Sequence, residues 1–468
     1  MYRSLSSHLY EASVHFQARE GERFYGLGQH QHGLFDQKGC VIELAQDNTE
    51  VAIPFLVSSL GYGFLWNNPA IGRVELLANG TNWHAEATQE IDYLVTSGDS
   101  PAEIMGVEVM VSVWPTVSVN NESFAEMRSR DLLVKSERGA GVLLDITDTD
   151  TRGLSYVHYY DPTNPEARKF IWEKVKAHYH NLGIKIFWLD ACEPEIRPHH
   201  PENLRYYLGN GAEVGCIYPM LHAQGFYEGM IAAGQKEVLN LCRSAWAGSQ
   251  RWGAAVWSGD IDSTFAALKV QVTSGLNMAM SGIPWWTTDI GGFYGGNTEA
   301  ATFRELIVRW FQYAVFCPLF RLHGFRNSWN IKQGGPNEVW SYGEEAYAIL
   351  AEQLRLRERL KPYVLAQMRL AHEKGVPPMR PLFFDFPKDE ACWTVADELL
   401  LGPDLLVAPV VEQGARSRRV YLPAGTSWRD AWTDQPAKGG EWLEADAPLE
   451  HIPVHLKGEA KLPIKGER

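Results

Sequence analysis

Ile184-Lys185-Ile186-Phe187-Trp188-Leu189 runs into Asp190-Ala191-Cys192-Glu193-Pro194-Glu195, and the reading of this stretch decides the fold. A short apolar, β-rich run makes a buried strand. It stops at an acidic residue followed by a proline-marked turn. Just upstream, Pro165 to Leu182 has amphipathic helical spacing and ends at Gly183, a helix stop. Helix, turn and buried strand form the repeating unit of a parallel sheet with crossover helices.

The same unit recurs on both sides. Val107 to Trp114 is a strand ended by Pro115, and a helix is expected near 219–234. Glu237 to Arg243 begins another strand, and Ala254 to Gly259 leads into Asp260 in WSGDIDSTF. A helix near 263–275, a strand-like run from Asn277 to Pro284, and a helix near 298–315 follow. Cys317 to His323 reads as a strand, 344–374 as a long charged helix, and Pro381-Leu382-Phe383 as the last barrel strand.

The flanks are different. Before residue 100, short runs at 41–44, 51–57, 63–66 and 91–95 are separated by turn signals such as Asn67-Asn68-Pro69 and Asn79-Gly80. That spacing predicts a sandwich. A helix start is expected over Gly98 to Glu103. After about 384, strand patterning returns at 405–411 and 419–423 and runs to Ile464. The expected fold class is α/β: a (β/α) barrel over 101–383, between β-sandwich domains at 1–100 and 384–468.

Composition narrows the function. A net charge of -14 repels phosphate, which argues against nucleic acid and anionic membranes as partners. A neutral polyol is indifferent to that field. Seventeen tryptophans offer flat apolar faces for sugar rings, although large β-rich cores also use many. Cys40, Cys192, Cys216, Cys242, Cys317 and Cys392 are scattered with no C-x-x-C pair, so buried free thiols are expected. No apolar run of about 18 residues and no signal-like N-terminus is seen, which predicts a cytoplasmic chain without a membrane span.

A carboxylate just past the C-terminal end of a buried strand is where a (β/α) barrel carries its catalytic groups. A lone aspartate there is more often a turn residue. Asp190 and Asp260, each beside a tryptophan, argue otherwise. Such a pair suits glycosidic bond cleavage, with one nucleophile and one proton donor. Arg243, Asp289 and His323 also stand at or beyond strand ends and could pair sugar hydroxyls. Arg243 could equally balance buried carboxylate charge. His30 and His32 share one strand face but lack a third metal ligand nearby, His199-His200 reads as surface, and Asp145, Asp148 and Asp150 read as a solvated turn.

These residues resemble family 31 of the glycoside hydrolases, the α-glucosidases and α-xylosidases. FWLDACEPE resembles the family's nucleophile strand and CRSAWAGSQRWGAAVWSGD its acid/base segment. GIPWWTTDIGGF and PLFRLHGFRN resemble the next strand ends; FYGLGQHQHG and LLLGPDLLVAPVV resemble the two sandwiches. The likeness covers nearly the whole chain and is closest to the α-xylosidases. It implies a retaining enzyme that needs no metal or organic cofactor and acts on non-reducing terminal α-xylosides or α-glucosides of small glycosides or oligosaccharides. It implies Asp190 as nucleophile and Asp260 as acid/base. Arg243 and His323 would bind sugar hydroxyls; Trp188, Trp257 and Phe293 would form apolar walls; Asp289 would support the site. The oligomeric state stays open.

One departure is large. In the family two barrel strands separate a segment like Pro101-Ala102-Glu103-Ile104-Met105 from one like Val107 to Trp114. Here the second follows the first almost at once. Six barrel strands are countable, near 107, 184, 238, 254 or 277, 317 and 379. The resemblance therefore implies a (β/α)8-type TIM barrel lacking about two strands, open at an unpaired edge, with an exposed apolar cleft above Asp190. An inactive, sugar-binding remnant is one competing reading. An α-transglycosylase, using the same residues with a sugar acceptor, is another.

Overall fold

The structure, a computed structural model, describes residues 2–4, 10–29, 32, 34, 36–45, 51–68, 70–88, 91–97, 108–139, 147–150, 153–194, 196, 201–326 and 335–466. The junction between Met105 and Val107, the helix start over 98–103, and His30, Asp145, His199 and His200 lie outside these residues. Two compact units divide the chain: Met1–Val111 with Lys174–Ile186, and Ser112–Glu173 with Phe187–Arg468.

The first unit contains two antiparallel sheets, as the alternating runs predict. One orders strands Tyr2–Ser4, Tyr10–Gln17, Gly80–Thr88, Gly72–Leu77 and Val41–Leu44. The other orders Phe24–Gln29, Val51–Ser58, Tyr62–Trp66 and Tyr93–Ser97. Gly72–Leu77 alternates buried and half-buried residues along its length, the period of two that puts Val74 and Leu76 inward. They share a core with Phe64, Trp66 and Trp83, whose indoles stack at 6.1 Å.

A five-stranded sheet lying mostly in the second unit orders β1 (Met110–Val113), β2 (Ile186–Leu189), β3 (Asn240–Cys242), β4 (Ala254–Trp257) and β5 (Trp286–Thr287), with β2 to β5 parallel. Helices α1 (Pro165–His178), α2 (Tyr218–Ala232), α3 (Phe265–Met280), α4 (Ala301–Ala314) and α5 (Glu344–Lys374) alternate with them or follow. The register is regular: Leu189 faces Cys242, Cys242 faces Val256, and Val256 faces Trp286. Consecutive strands therefore end level, and the residues beyond them share one rim. Among the described residues β1 and β5 stand at the two ends of this ladder, and Met110 and Trp114 are exposed.

Three sequence expectations fail locally. Asn277 to Pro284 is not a strand: its first half completes α3, which Thr264 caps by accepting from Ala267 N at 3.1 Å. An apolar run this short does not distinguish a buried strand from a buried helix. Cys317 to His323 is not a strand: Cys317 to Leu319 bends away from the end of α4 and Phe320 to His323 makes no ladder, yet Leu319 N donates to Trp286 O and Ile290 N to Arg321 O, so it runs beside β5. Pro381 to Phe383 is not a barrel strand. Met379–Arg380 pairs antiparallel with Leu399–Leu401, and Leu382–Asp385 is helical. Cys216 is exposed, whereas four of the other cysteines are buried.

The C-terminal part is a six-stranded antiparallel sheet beside the ribbon Ser417–Leu422 with Glu441–Asp446. Leu399, Leu401, Leu405 and Val407 pack in one core with Leu306, Trp310, Leu356 and Leu360 of α4 and α5. Leu400 and Leu406 point the other way, to Val420, Leu422 and Trp428. A strand covered on both faces loses its polar alternation, which explains the unbroken leucines. Arg309 of α4, 1 % exposed, donates to the carbonyls of Ala415, Ala447, Pro448 and His451. One guanidinium thus satisfies loops that no ladder reaches.

Candidate active site

Each site residue stands just beyond a strand of the parallel sheet. Asp190 follows β2, Arg243 follows β3, Asp260 lies three residues past β4, and Asp289 two past β5. Because the strands end level, these side chains meet. Arg243 Nη1 lies 3.2 Å from Asp190 Oδ1 and 3.5 Å from Asp260 Oδ2. The two carboxylate oxygens, sharing one nitrogen, are therefore at most 6.7 Å apart. The sequence expected the two aspartates to face one another, and the structure brings them together.

The remaining edge of Arg243 is held by a residue the sequence did not single out. Its Nε and Nη2 donate to the two oxygens of Glu193 at 2.8 and 2.9 Å. This bidentate fork fixes the guanidinium plane, so Nη1 has one place to go. The signal was present: Glu193 follows Asp190 by three in FWLDACEPE. The backbone turns sharply between them. Ala191 has φ 52°, a left-handed conformation that costs a residue with a Cβ about 1–2 kcal/mol. In that conformation its N–H reaches Asp190 Oδ1 at 2.8 Å.

Burial raises the Asp190 carboxyl above its ordinary range; Arg243, the Ala191 N–H and a hydrogen bond from Trp114 oppose the rise, and Glu193 adds to it. Asp289 is fully buried and pushed up to about 7, first by burial and then by the charges of Asp260 and Asp190. Its partner is Arg321, whose Nη1 donates to Asp289 Oδ1. Arg321 was also missed, although it lies two residues before His323, on the same side of an extended segment. Its guanidinium lies 4.6 Å from the Trp188 ring centre and 5.3 Å from that of Trp257.

The aromatic residues expected as walls are gathered here. Trp188 meets Trp257 at 5.7 Å and His323 at 4.8 Å, and His323 stacks on Phe293 at 5.4 Å. Phe293 is placed by Arg326, which donates to the carbonyls of Ile290 and Gly292 at 2.8 and 2.7 Å. Burial lowers the His323 imidazole to about 4, with Arg321 and Arg326 adding to the effect. It is neutral near pH 7 and offers one donor and one acceptor. Among the described residues no group of His, Cys, Asp and Glu is arranged to hold a metal ion.

Two carboxylates across one cation, walled by tryptophan and a neutral histidine, can carry out nucleophilic attack and proton transfer on a polyol. A family model described as the glycosyl hydrolases family 31 TIM-barrel domain matches residues 27–367, and one for the family 31 C-terminal domain matches 375–461. An α-xylosidase of Saccharolobus solfataricus is 30% identical over 98% of this chain and 72% of its own length. An uncharacterized family 31 glucosidase of Pseudescherichia vulneris is 40% identical over 69% of this chain and 76% of its own. Among solved structures, a GH31 α-xylosidase from a soil metagenome, complexed with xylose, is 43% identical with a TM-score of 0.72, covering 98% of this chain and 81% of that one. The Saccharolobus alignment spans 559 positions against 468 residues here, so at least 91 positions of it have no counterpart in this chain.

Proposed function

Since the chain belongs to family 31 of the glycosyl hydrolases and is a glycosidase that cleaves O-glycosyl bonds, we propose that it hydrolyses non-reducing terminal α-xylosides, and α-glucosides, with Asp190 as nucleophile and Asp260 as general acid and base. The observation that carries the assignment is the shared nitrogen of Arg243. It keeps one oxygen of each carboxylate within 6.7 Å of the other, which accommodates the separation of about 5–5.5 Å that retention requires. Asp190 attacks the anomeric carbon as the bond to the leaving oxygen breaks, and Asp260 gives that oxygen its proton. A water, deprotonated by Asp260, then displaces Asp190 and restores the α configuration.

Xylose is favoured by the relatives named for it. Arg243 keeps the nucleophile ionised, while His323, Trp188 and Phe293 offer the sugar hydroxyl partners and an apolar face. Among the described residues no helix is long and apolar enough to cross a membrane, and six free thiols suit a reducing, cytoplasmic setting. In the same reading the domains run 1–100, 101–383 and 384–468, and the positions missing against the relatives fall between Met105 and Val107. The test is hydrolysis of aryl α-xyloside and aryl α-glucoside followed by NMR. Release of α-anomeric sugar first is expected; β-anomeric product or no release from either overturns the reading.

Glu193→Gln is expected to lower kcat by about 10- to 100-fold, the loss of a charge-assisted fork. With that fork weakened, Arg243 can close onto Asp190. Glu193 also raises the Asp190 carboxyl, so the acidic limb of kcat/KM should move to lower pH in the variant. A purely structural role for Glu193 would lower thermal stability and leave the limb in place.

A further inference from the structure

Arg321 enters the site from a segment with no ladder of its own. Leu319 N donates to Trp286 O and Ile290 N to Arg321 O. These bonds lay the segment along the end of β5 and bring the Arg321 side chain to Asp289, two residues past that strand. Arg321 Nη1 donates to Asp289 Oδ1. The Asp289 side chain is fully buried and that of Arg321 is 15% exposed. Held there, the guanidinium lies 4.6 Å from the Trp188 ring centre and 5.3 Å from that of Trp257. The two indoles stand at 85° to each other, so one planar cation fills the corner between them.

Each of these tryptophans leads into one of the paired carboxylates. Trp188 precedes Asp190 by two residues, the period that keeps both on one face of an extended run, and Trp257 precedes Asp260 by three. An edge-to-face contact alone leaves an indole free to tilt. A cation lying on both rings and tied to a third element does not. Stability does not account for the arrangement, because a buried charge pair is commonly no more stable than apolar side chains of similar volume. The charges supply a reason. Asp190, Asp260 and Glu193 surround the single cation of Arg243. Burial lowers the Arg321 guanidinium, and Asp289, Asp190 and Asp260 oppose the fall. Asp289 itself is pushed up to about 7, first by burial, so in mildly acid solution it is a neutral acceptor and Arg321 keeps its charge for the other two. Arg326 and His323 also face this corner; Arg326 lowers the Asp289 carboxyl, and His323 is held neutral near pH 7 by burial.

We propose that Arg321 is a positioning residue for the hydrolysis: anchored by Asp289, it fixes Trp188 and Trp257, and through them Asp190 and Asp260, and it adds a second cation to that of Arg243. The proposal rests on the hydrolase reading above. Its test measures kcat and the pH profile of kcat/KM for Arg321→Met and Arg321→Lys, on whichever aryl glycoside the wild type hydrolyses. Methionine fills the corner without charge, and Asp289 can stay protonated beside it. That variant is expected to lose about 100-fold in kcat, and its acidic limb, set by the ionisation of Asp190, should move to higher pH because a cation is gone. Lysine keeps the charge but not the plane, so the limb should stay in place while kcat falls about tenfold. A structural role would lower the melting temperature of both variants and leave the limb of Arg321→Met where it was. An unmoved limb or undiminished kcat in Arg321→Met overturns the proposal. Should that variant not fold, undiminished kcat in Arg321→Lys overturns it, and so does failure of both to fold. The hydrolase reading survives each of these outcomes and falls only if the wild type cleaves neither aryl α-xyloside nor aryl α-glucoside, which removes the proposal with it.

Discussion

Alanine at position 190 is expected to lower steady-state turnover by on the order of 10⁴-fold or more, because the covalent route is lost with its nucleophile. The residue is well isolated for such a test. Its neighbours Ala191 and Arg243 reach it through a backbone N–H and a guanidinium, so truncation leaves the turn and the Arg243–Glu193 fork intact. It also opens a small space on the nucleophile's face, backed by a cation. Azide should enter there, attack the anomeric carbon as Asp260 protonates the leaving oxygen, and yield the β-glycosyl azide. Recovery of that inverted product distinguishes a nucleophile from a residue that merely shapes the site. Undiminished turnover in Asp190→Ala would sink the assignment.

The catalytic pair was legible because strand ends are written locally. A β-rich run followed by an acid needs no long-range information, and both Asp190 and Asp260 come from such runs. The cation between them was visible as a residue but not as a geometry. Nothing in CRSAW says that Arg243 will place one nitrogen on two carboxylates, since that depends on strands β2, β3 and β4 ending level. Arg321 was hidden for another reason: a charge inside PLFRLHGF looks like a solvated strand edge until Asp289 arrives from the neighbouring segment to pair it.

The fold was legible where one face is wet and the other dry. Val41–Leu44 alternates exposed and buried residues, and its run was read as a strand directly. The reading failed where the apolar run is short. Residues 278–280 are apolar in α3 as they would be in a strand, although only Ala279 among them is buried, and a run of that length does not fix the period. A Cβ on Gly275 would stand 2.6 Å from the Trp286 ring, so glycine there lets the helix close onto β5.

Asp260→Ala is expected to separate two steps that one residue serves. For an oligosaccharide the departing alkoxide needs its proton, and loss of a general acid costs about 10²–10⁴-fold. For α-xylosyl fluoride or an activated aryl glycoside the leaving group departs nearly unaided, so single-turnover release should change little. The second step is slowed for every substrate, because the same carboxylate deprotonates the water. The glycosyl-enzyme on Asp190 should then accumulate, seen as a burst of aryl alcohol and as a mass increase of one sugar residue on the intact protein. Asp260 is placed for both duties: its carboxylate remains 32% exposed, open to leaving group and water in turn, whereas Asp190 is 16% exposed and tied to a backbone N–H. Azide supplies the decisive sign. It should attack the accumulated glycosyl-enzyme in place of activated water and give the α-glycosyl azide, the configuration opposite to that from Asp190→Ala. Equal slowing of the first step for fluoride and oligosaccharide, or a β-azide from Asp260→Ala, would exchange the two roles.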